Sequence, residues 1–270
     1  DAIPDAVPSA VCDDSYIVKT LEQLEALSHC VVITGTINIT DSPLTDLAPL
    51  AGLTEVGGSL RITFNGALPT LDGLSELKSV GGQLEIYMNA ALTSFTGLDA
   101  LETVGGSLVL FENTSVVALD GFAQLTTVSG NLAIGDPAYT NSTLEAVTGL
   151  NALSHVAWLV RIVDNDALGS VSGLNGLATV GLKLELIRND ALVHLDGFSS
   201  LASVGAGVFI EDNPSLPSCV AWSLVKAVQE AGGLNGEIMV SGNDDPCDPD
   251  PCVMGVCELA CDLPGDYSCP

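Results

Sequence analysis

"LRITFNGALPTLDGLSELKSVGGQ" occupies residues 60–83, and "LEIYMNAALTSFTGLDALETVGGS" follows it over residues 84–107. The two stretches keep most of their leucines, one asparagine and a Val-Gly-Gly ending, while much of what lies between changes. The shared unit reads L-x-[IL]-x-x-N-x-x-L-x-x-[LF]-x-G-[LF]-x-x-L-x-x-V-G-G. Its asparagine recurs as Asn65, Asn89, Asn113, Asn165, Asn189 and Asn213, most steps being 24 residues. The step from Asn113 to Asn165 is 52 residues, two units plus four. The extra four fall in "GDPAYTNSTL" (135–144), whose Pro and Asn mark a loop bulging from one coil. Seven coils are clear from Ile37 onward, and an eighth begins at Val208.

A fixed period of this size is the signature of a solenoid. One coil is too small to bury its own apolar side chains, whereas stacked coils share one continuous core. The leucines persist because they point into that core, and the residues between vary because they face solvent. Segments such as Leu60-Arg-Ile and Leu84-Glu-Ile alternate apolar and polar, which predicts a short strand per coil. Successive strands stack in parallel at about 4.8 Å, so eight coils give a rod of roughly 40 Å.

The bulk composition agrees. Apolar residues make up 47% of the 270, enough for a sizeable core, and aromatics only 4%, so that core is aliphatic. The 28 glycines suggest many tight turns. Seven Lys and Arg stand against 34 Asp and Glu, a net charge of -27, which repels phosphate backbones and anionic membranes. No apolar run reaches the ~20 residues of a membrane-spanning helix. The chain starts at Asp1 with no basic leader, so it reads as a processed segment. Its eight cysteines, Cys12, Cys30, Cys219, Cys247, Cys252, Cys257, Cys261 and Cys269, all lie in the two end regions. That distribution suggests disulfides stapling the ends of a rod in an oxidising, extracellular or cell-surface compartment.

The strand-asparagine segment matches an ordinary leucine-rich repeat in part, but the return has apolar residues at three-residue spacing and paired glycines, which favours flat turns over a helix. In this the chain resembles the receptor L domain family. A short amphipathic helix, Leu21 to Leu27, then Cys30 and a strand at Gly35 to Ile39, is similar to that family's opening cap. The resemblance covers about residues 12 to 246 and implies a mainly β, right-handed parallel β-solenoid with a short capping helix at each end. "CVAWSLVKAVQEAGG" has apolar residues at helical spacing (Val220, Leu224, Val225, Val228) and reads as the second cap, with the strand "GEIMVSG" after it. The tail resembles the start of an EGF-like module in its C-x4-C-x4-C spacing and "GDYSC" end, with Cys261 one cysteine in excess. The expected organisation is therefore a stapled cap at 1–36, coils over 37–216, a helix–strand cap at 217–246 and a cysteine-rich tail at 247–270. Cys12 is expected to pair with Cys30. The other six cysteines allow fifteen pairings, Cys219 with Cys247 being one guess among them.

Three polar or exposed features could carry function. The asparagine column is expected to be structural, each side chain turning inward to satisfy backbone groups at a bend. On the strands, alternation sends Leu60 and Ile62 inward and Arg61 and Thr63 outward. An exposed apolar stripe of Tyr87, Phe111, Val163 and Ile187, with Phe64 and Met88 beside it, is the candidate binding face. Arg61 stacks by Glu85 and Arg161 by Glu185 on neighbouring rungs, each pair contributing ~0.2–1 kcal/mol. Of the sequons at Asn38, Asn113 and Asn141, the inward column makes Asn113 inaccessible and leaves Asn141 the acceptor. No cofactor is expected. Calcium is the one ion that the acidic stretch with Asp244 and Asp245, ahead of the EGF-like start, would suit.

Catalysis needs convergent groups, and His29, His155 and His194 are scattered over different coils with no GxSxG, HExxH or phosphate-cradling loop. The expectation is a non-enzymatic extracellular recognition or adhesion module, its partner a protein or glycan at a cell surface. The alternatives are a structural cell-envelope spacer without a ligand and, further off, a solenoid carbohydrate-active enzyme.

Overall fold

The structure is a computed structural model that describes residues 10–138 and 143–244. Each coil runs along three sides. In the coil that begins at Leu60, a four-residue strand, Leu60–Thr63, leads to a corner at Asn65. The second side carries Leu68 and Leu71 and a single 3₁₀ turn, Asp72–Leu74. A two-residue strand, Ser79–Val80, forms the third side and ends at the Gly81–Gly82 corner. Leu60, Ile62, Leu68, Leu71, Leu74, Leu77 and Val80 all turn inward and are buried.

The strands of successive coils pair in parallel, one rung on the next. The longer strands form a 10-stranded sheet from Tyr16–Val18 to Glu237–Ser241, and the short ones a 9-stranded sheet from Ala10–Cys12 to Ser203–Val204. The register follows the 24-residue period, Leu60 facing Leu84 and Ile62 facing Ile86. The chain is thus a mainly β parallel solenoid, and one aliphatic cluster runs from Cys12 to Val228. Five coils have a 3₁₀ turn on the remaining side; the two flanking the insertion instead pair Ala118–Leu119 with Ala146–Val147.

Two helices close the ends. Helix α1, Leu21–Glu25, begins with a capping box in which Gln23 N–H donates to Thr20 Oγ1 and Thr20 N–H donates to Gln23 Oε1. Its Leu24, with Leu27 just beyond, plugs the first coil. A disulfide joins Cys12 to Cys30, the expected pair, and ties the first coil to the second. Helix α2, Ser218–Glu230, buries Cys219, Ala221, Leu224, Val225 and Val228 against the last coils. Val220, expected on that face, is half-buried at its margin.

The repeat glycines have a different reason from the one the sequence suggests. None of those at the coil corners has a positive φ. They are there because neighbouring coils touch: a Cβ on Gly81 or Gly105 would run into the carbonyl of the glycine one coil earlier, and one on Gly73 into the Leu47 carbonyl. The left-handed conformation falls instead on the residue before each corner asparagine, Phe64, Met88, Glu112, Asp164, Arg188 and Asp212, at φ between 50° and 58°. Such a backbone costs a side-chain-bearing residue about 1–2 kcal/mol, and the asparagine hydrogen bonds hold it in place.

Candidate functional site

The longer strands present one face to solvent, and three columns of side chains lie on it. The column through Arg61 holds two ion pairs, with Val109, Ala133, Phe209 and Met239 on other rungs. Arg61 Nε donates to Glu85 Oε2 at 2.8 Å, and Arg161 Nε to Glu185 Oε2 at 2.7 Å, both across adjacent rungs as expected. A third clamp was not read from the sequence. Arg188 donates through Nε and Nη2 to the two carboxylate oxygens of Asp164, at 2.6 and 2.8 Å. The chain's three arginines are therefore all spent on inter-coil pairs. Arg188 titrates above its ordinary value. The Asp164 hydrogen bond is the largest cause; the charges of Asp164, Asp212 and Glu211 add to it, and burial opposes it.

The column through Thr63 is the expected stripe, and its exposure is corrected in two places. Val163 is 2% exposed, set between the closely packed Gly135 backbone and its rung partner Ile187. Thr63 is 4% exposed; its hydroxyl donates to Thr40 Oγ1, and it lies opposite Tyr87 in the ladder. The stripe is also interrupted. Gly135 follows Ile134 at the rung between Phe111 and Val163, with φ of 93°, and offers no side chain there. Ile187, half-buried, is separated from the aromatic residues by that gap.

What remains contiguous is aromatic. Phe64 meets Tyr87 edge-on at 5.7 Å, and Tyr87 stacks on Phe111 at 4.5 Å with planes 9° apart. Phe64 is 49% exposed, while Tyr87, Phe111 and Met88 are half-buried. The left-handed backbone at Phe64 and Met88 places them at the corner beside this column. A pocket adjoins Phe111, lined by Phe95, Leu110, Val116, Ile134 and Leu144. At about 20 Å³ it is too small for a sugar or cofactor. A larger cleft of about 290 Å³ lies at the first coil between Tyr16–Val18 and α1, bordered by His29.

The asparagines form hydrogen-bonded ladders, in two blocks. In the first, Asn65 donates to Asn89 Oδ1 and Asn89 to Asn113 Oδ1, and each amide also donates to a backbone carbonyl of the preceding coil, Ile39 or Ile62. Asn113 donates to the carbonyls of Ile86 and Phe111 and is buried, which leaves its sequon nitrogen engaged. In the second block, Asn165, Asn189 and Asn213 do the same, and Asn165 bridges the gap by donating to Ile134. Ser42 and Asn243 extend the blocks at their outer ends, through Ser42 Oγ to Asn65 Oδ1 and Asn213 Nδ2 to Asn243 Oδ1. Both were legible, since Ile37-x-Ile39-x-x-Ser42 and Ile238-x-Val240-x-x-Asn243 carry the repeat's own spacing.

Other expected groups do not converge. His155 Nδ1 lies 2.6 Å from Thr179 Oγ1 on a short-strand rung. His29 Nε2 sits 3.7 Å from Cys12 Sγ and 4.0 Å from Cys30 Sγ, but those sulfurs are bonded to each other and offer no thiolate to a metal. Asp244 closes the last rung through its backbone. Asp245, Asn141, Cys247, Cys252, Cys257, Cys261 and Cys269 lie outside the described residues. Among the described residues, no helix is long and apolar enough to cross a membrane.

These observations define a parallel β-solenoid, of about eight coils between two caps, that displays an aromatic cluster on its strand face. Comparison with protein-family models, with curated proteins and with solved structures finds no match for the chain.

Proposed function

We propose that this chain is an extracellular or cell-surface recognition or adhesion module, without catalytic activity, that binds a protein or glycan through its strand face around Phe64, Tyr87 and Phe111. The observation that carries the proposal is the contiguous aromatic cluster on the strand face, in which Phe64 contacts Tyr87 and Tyr87 stacks on Phe111. Aromatic side chains supply large contact area at low entropic cost, and exposed clusters of them are a frequent mark of binding surfaces. The pocket beside Phe111, at about 20 Å³, is too small to engulf a small molecule, so contact would be made by the cluster's outer surface. Tyr87 and Phe111 also turn ring faces toward each other, which leaves fewer faces for stacking on sugars and favours a protein partner. The resemblance to the receptor L domain and EGF-like modules supports the same compartment and role, as does the disulfide-stapled cap.

A screen against immobilised glycans and candidate cell-surface proteins tests the reading, with wild type beside a Tyr87→Ser, Phe111→Ser double variant. Retained fold with lost binding supports the aromatic face; binding unaffected by the changes places the site elsewhere. Binding by neither protein favours a rigid envelope spacer, the reading to which the three inter-coil arginine clamps and the asparagine ladders lend weight.

A further inference from the structure

We propose that the aromatic face takes a cationic segment of a protein partner, bound in extended form along the rod axis, with two arginines four residues apart and an apolar residue midway. The inference rests on the reading of that face as the binding surface and adds to it what charge and spacing require. The residues that precede the corner are left-handed in successive coils, which places Asp41, Phe64, Met88 and Glu112 in one column. The backbone ladder continues through them: Asp41 N–H donates to the Thr63 carbonyl, Phe64 N–H to that of Tyr87 and Met88 N–H to that of Phe111. Two apolar side chains are thus bracketed by a carboxylate at each end, beside the stacked Tyr87 and Phe111.

The charges select the sign of the partner. Arg61, on the neighbouring strand column, is held by Glu85 at 2.8 Å. Lys19 lies 3.6 Å from Asp41, but the two side chains are 50% and 71% exposed. Such a surface pair contributes little and gives way to a better-placed cation. A net charge of -27 draws a cationic partner toward the rod and repels an anionic one.

The spacing selects its form. Asp41 and Glu112 are three rungs apart, about 14 Å at ~4.8 Å per rung. An extended chain advances ~3.4 Å per residue and turns alternate side chains to one face, so its first, third and fifth residues cover about 14 Å. An arginine at the first position meets Asp41 and the ring of Phe64, which is 49% exposed and stands at 81° to Tyr87 rather than stacked on it. A guanidinium gains from both contacts at once, pairing with the carboxylate and lying over the ring. The apolar side chain at the third position falls between Phe64 and Met88, and the arginine at the fifth reaches Glu112. The equivalent column of the second block holds Asp164, Arg188 and Asp212, with Asp164 and Arg188 clamped to each other. It has no apolar pair between carboxylates, so the segment is directed to the first block.

Passing the full chain over immobilised peptides that carry two arginines at varied spacing about a central leucine tests this. Retention is expected to peak where the arginines are four residues apart, and to vanish where both are replaced by glutamate. Asp41→Asn with Glu112→Gln is expected to weaken the best peptide roughly tenfold. Asp212→Asn with Glu211→Gln removes the same charge from the second block and is expected to change it less than twofold. Equal losses in the two double variants, or retention that ignores spacing, would reveal attraction to net charge alone and overturn the proposal. Tyr87→Ser with Phe111→Ser separates the two readings. If this variant loses the peptide and the Asp41 and Glu112 variant keeps it, the aromatic face stands and the cationic partner falls; if it keeps the peptide, the face itself is the wrong one. Should Glu112→Gln not fold, Asp41→Asn against Asp212→Asn decides.

Discussion

The rod holds two blocks of coils with the same interior and different exteriors. In the first, Ser42, Asn65, Asn89 and Asn113 line the corner, and the outer face carries Phe64, Tyr87 and Phe111 beside the Arg61–Glu85 pair. In the second, Asn165, Asn189, Asn213 and Asn243 line the same corner, and the outer face carries the Asp164–Arg188 and Arg161–Glu185 pairs. The coil with Gly135 divides them. The period of the inward residues is what the fold requires, and it is kept in both. The outward residues are free of that requirement, so the difference between blocks is where function can be written.

If the interiors are equivalent, equivalent ladder substitutions cost the same. Asn89→Ala and Asn189→Ala each remove a donor to a backbone carbonyl, Ile62 or Ile162, and the Oδ1 acceptor used by the preceding asparagine. Each buried group left unpaired costs about 1–3 kcal/mol, so each variant is expected to lose about 3–5 kcal/mol in urea unfolding. Costs that differ by more than ~1 kcal/mol would break the equivalence of the two blocks. Ser42→Ala, at the end of the first ladder, loses fewer partners and is expected to cost ~1 kcal/mol.

The next effect concerns how closely coils approach within the first block. Gly81→Ala forces a Cβ against the Gly57 carbonyl, and overpacking against backbone costs about 1–3 kcal/mol. Gly66, in the same block, has nothing within 4 Å of an added Cβ, and Gly66→Ala is expected to change stability by less than ~0.5 kcal/mol. Equal effects at the two positions would show that the corner contact is soft. This pair also marks a limit of reading the sequence. Glycine periodicity is visible in the chain, but whether a glycine serves conformation or contact depends on the distance to the neighbouring coil.

Much of the architecture was legible for a simple reason: leucines 24 residues apart admit few other arrangements, and Cys12 with Cys30 sits where a cap must close. The strand face was legible in part. Alternation says where Thr63 and Val163 start from, but not that Thr40 or the Gly135 turn will cover them. Asp164 and Arg188 were each visible at the position before an asparagine, yet their pairing needed the left-handed backbone that aims both side chains along the rod. Asn243 went unrecognised because α2 lengthens the preceding step to 30 residues, although the local spacing of Ile238, Val240 and Asn243 is intact.

The exteriors differ in how they should respond to salt. Arg188→Lys keeps the charge but loses the two-pronged contact with Asp164, and Arg61→Lys loses a single Nε contact with Glu85. Partly exposed pairs contribute ~0.2–1 kcal/mol, and the Arg188 variant is expected to lose the larger share, at low salt. Raising sodium chloride to 1 M should bring each variant closer to the wild type. Because Arg188 titrates above its ordinary value, its contribution is complete below that value and is lost only as pH rises past the raised one. The neutral range therefore leaves the arginine side of the clamp unchanged, and a stability loss between pH 7 and 9 that vanished in the Arg188→Lys variant would contradict this.

The smallest effect tests whether the left-handed corner is a strain that the ladder sustains. Asp41 opens the series of left-handed residues, at φ of 55°, and its side chain is largely exposed beside Lys19 at 3.6 Å. A surface pair of that length contributes little, whereas glycine adopts a positive φ without the steric penalty of a Cβ. Glycine also raises the entropy of the unfolded chain, which offsets part of the relief. Asp41→Gly is therefore expected to raise stability by up to ~0.5–1 kcal/mol, with no change in the slope of the urea transition. A loss of more than ~0.5 kcal/mol would mean that the corner is not strained. In that case the hydrogen bonds of the ladder do not hold the backbone against its preference, and the residue before each asparagine is left-handed simply because nothing opposes it.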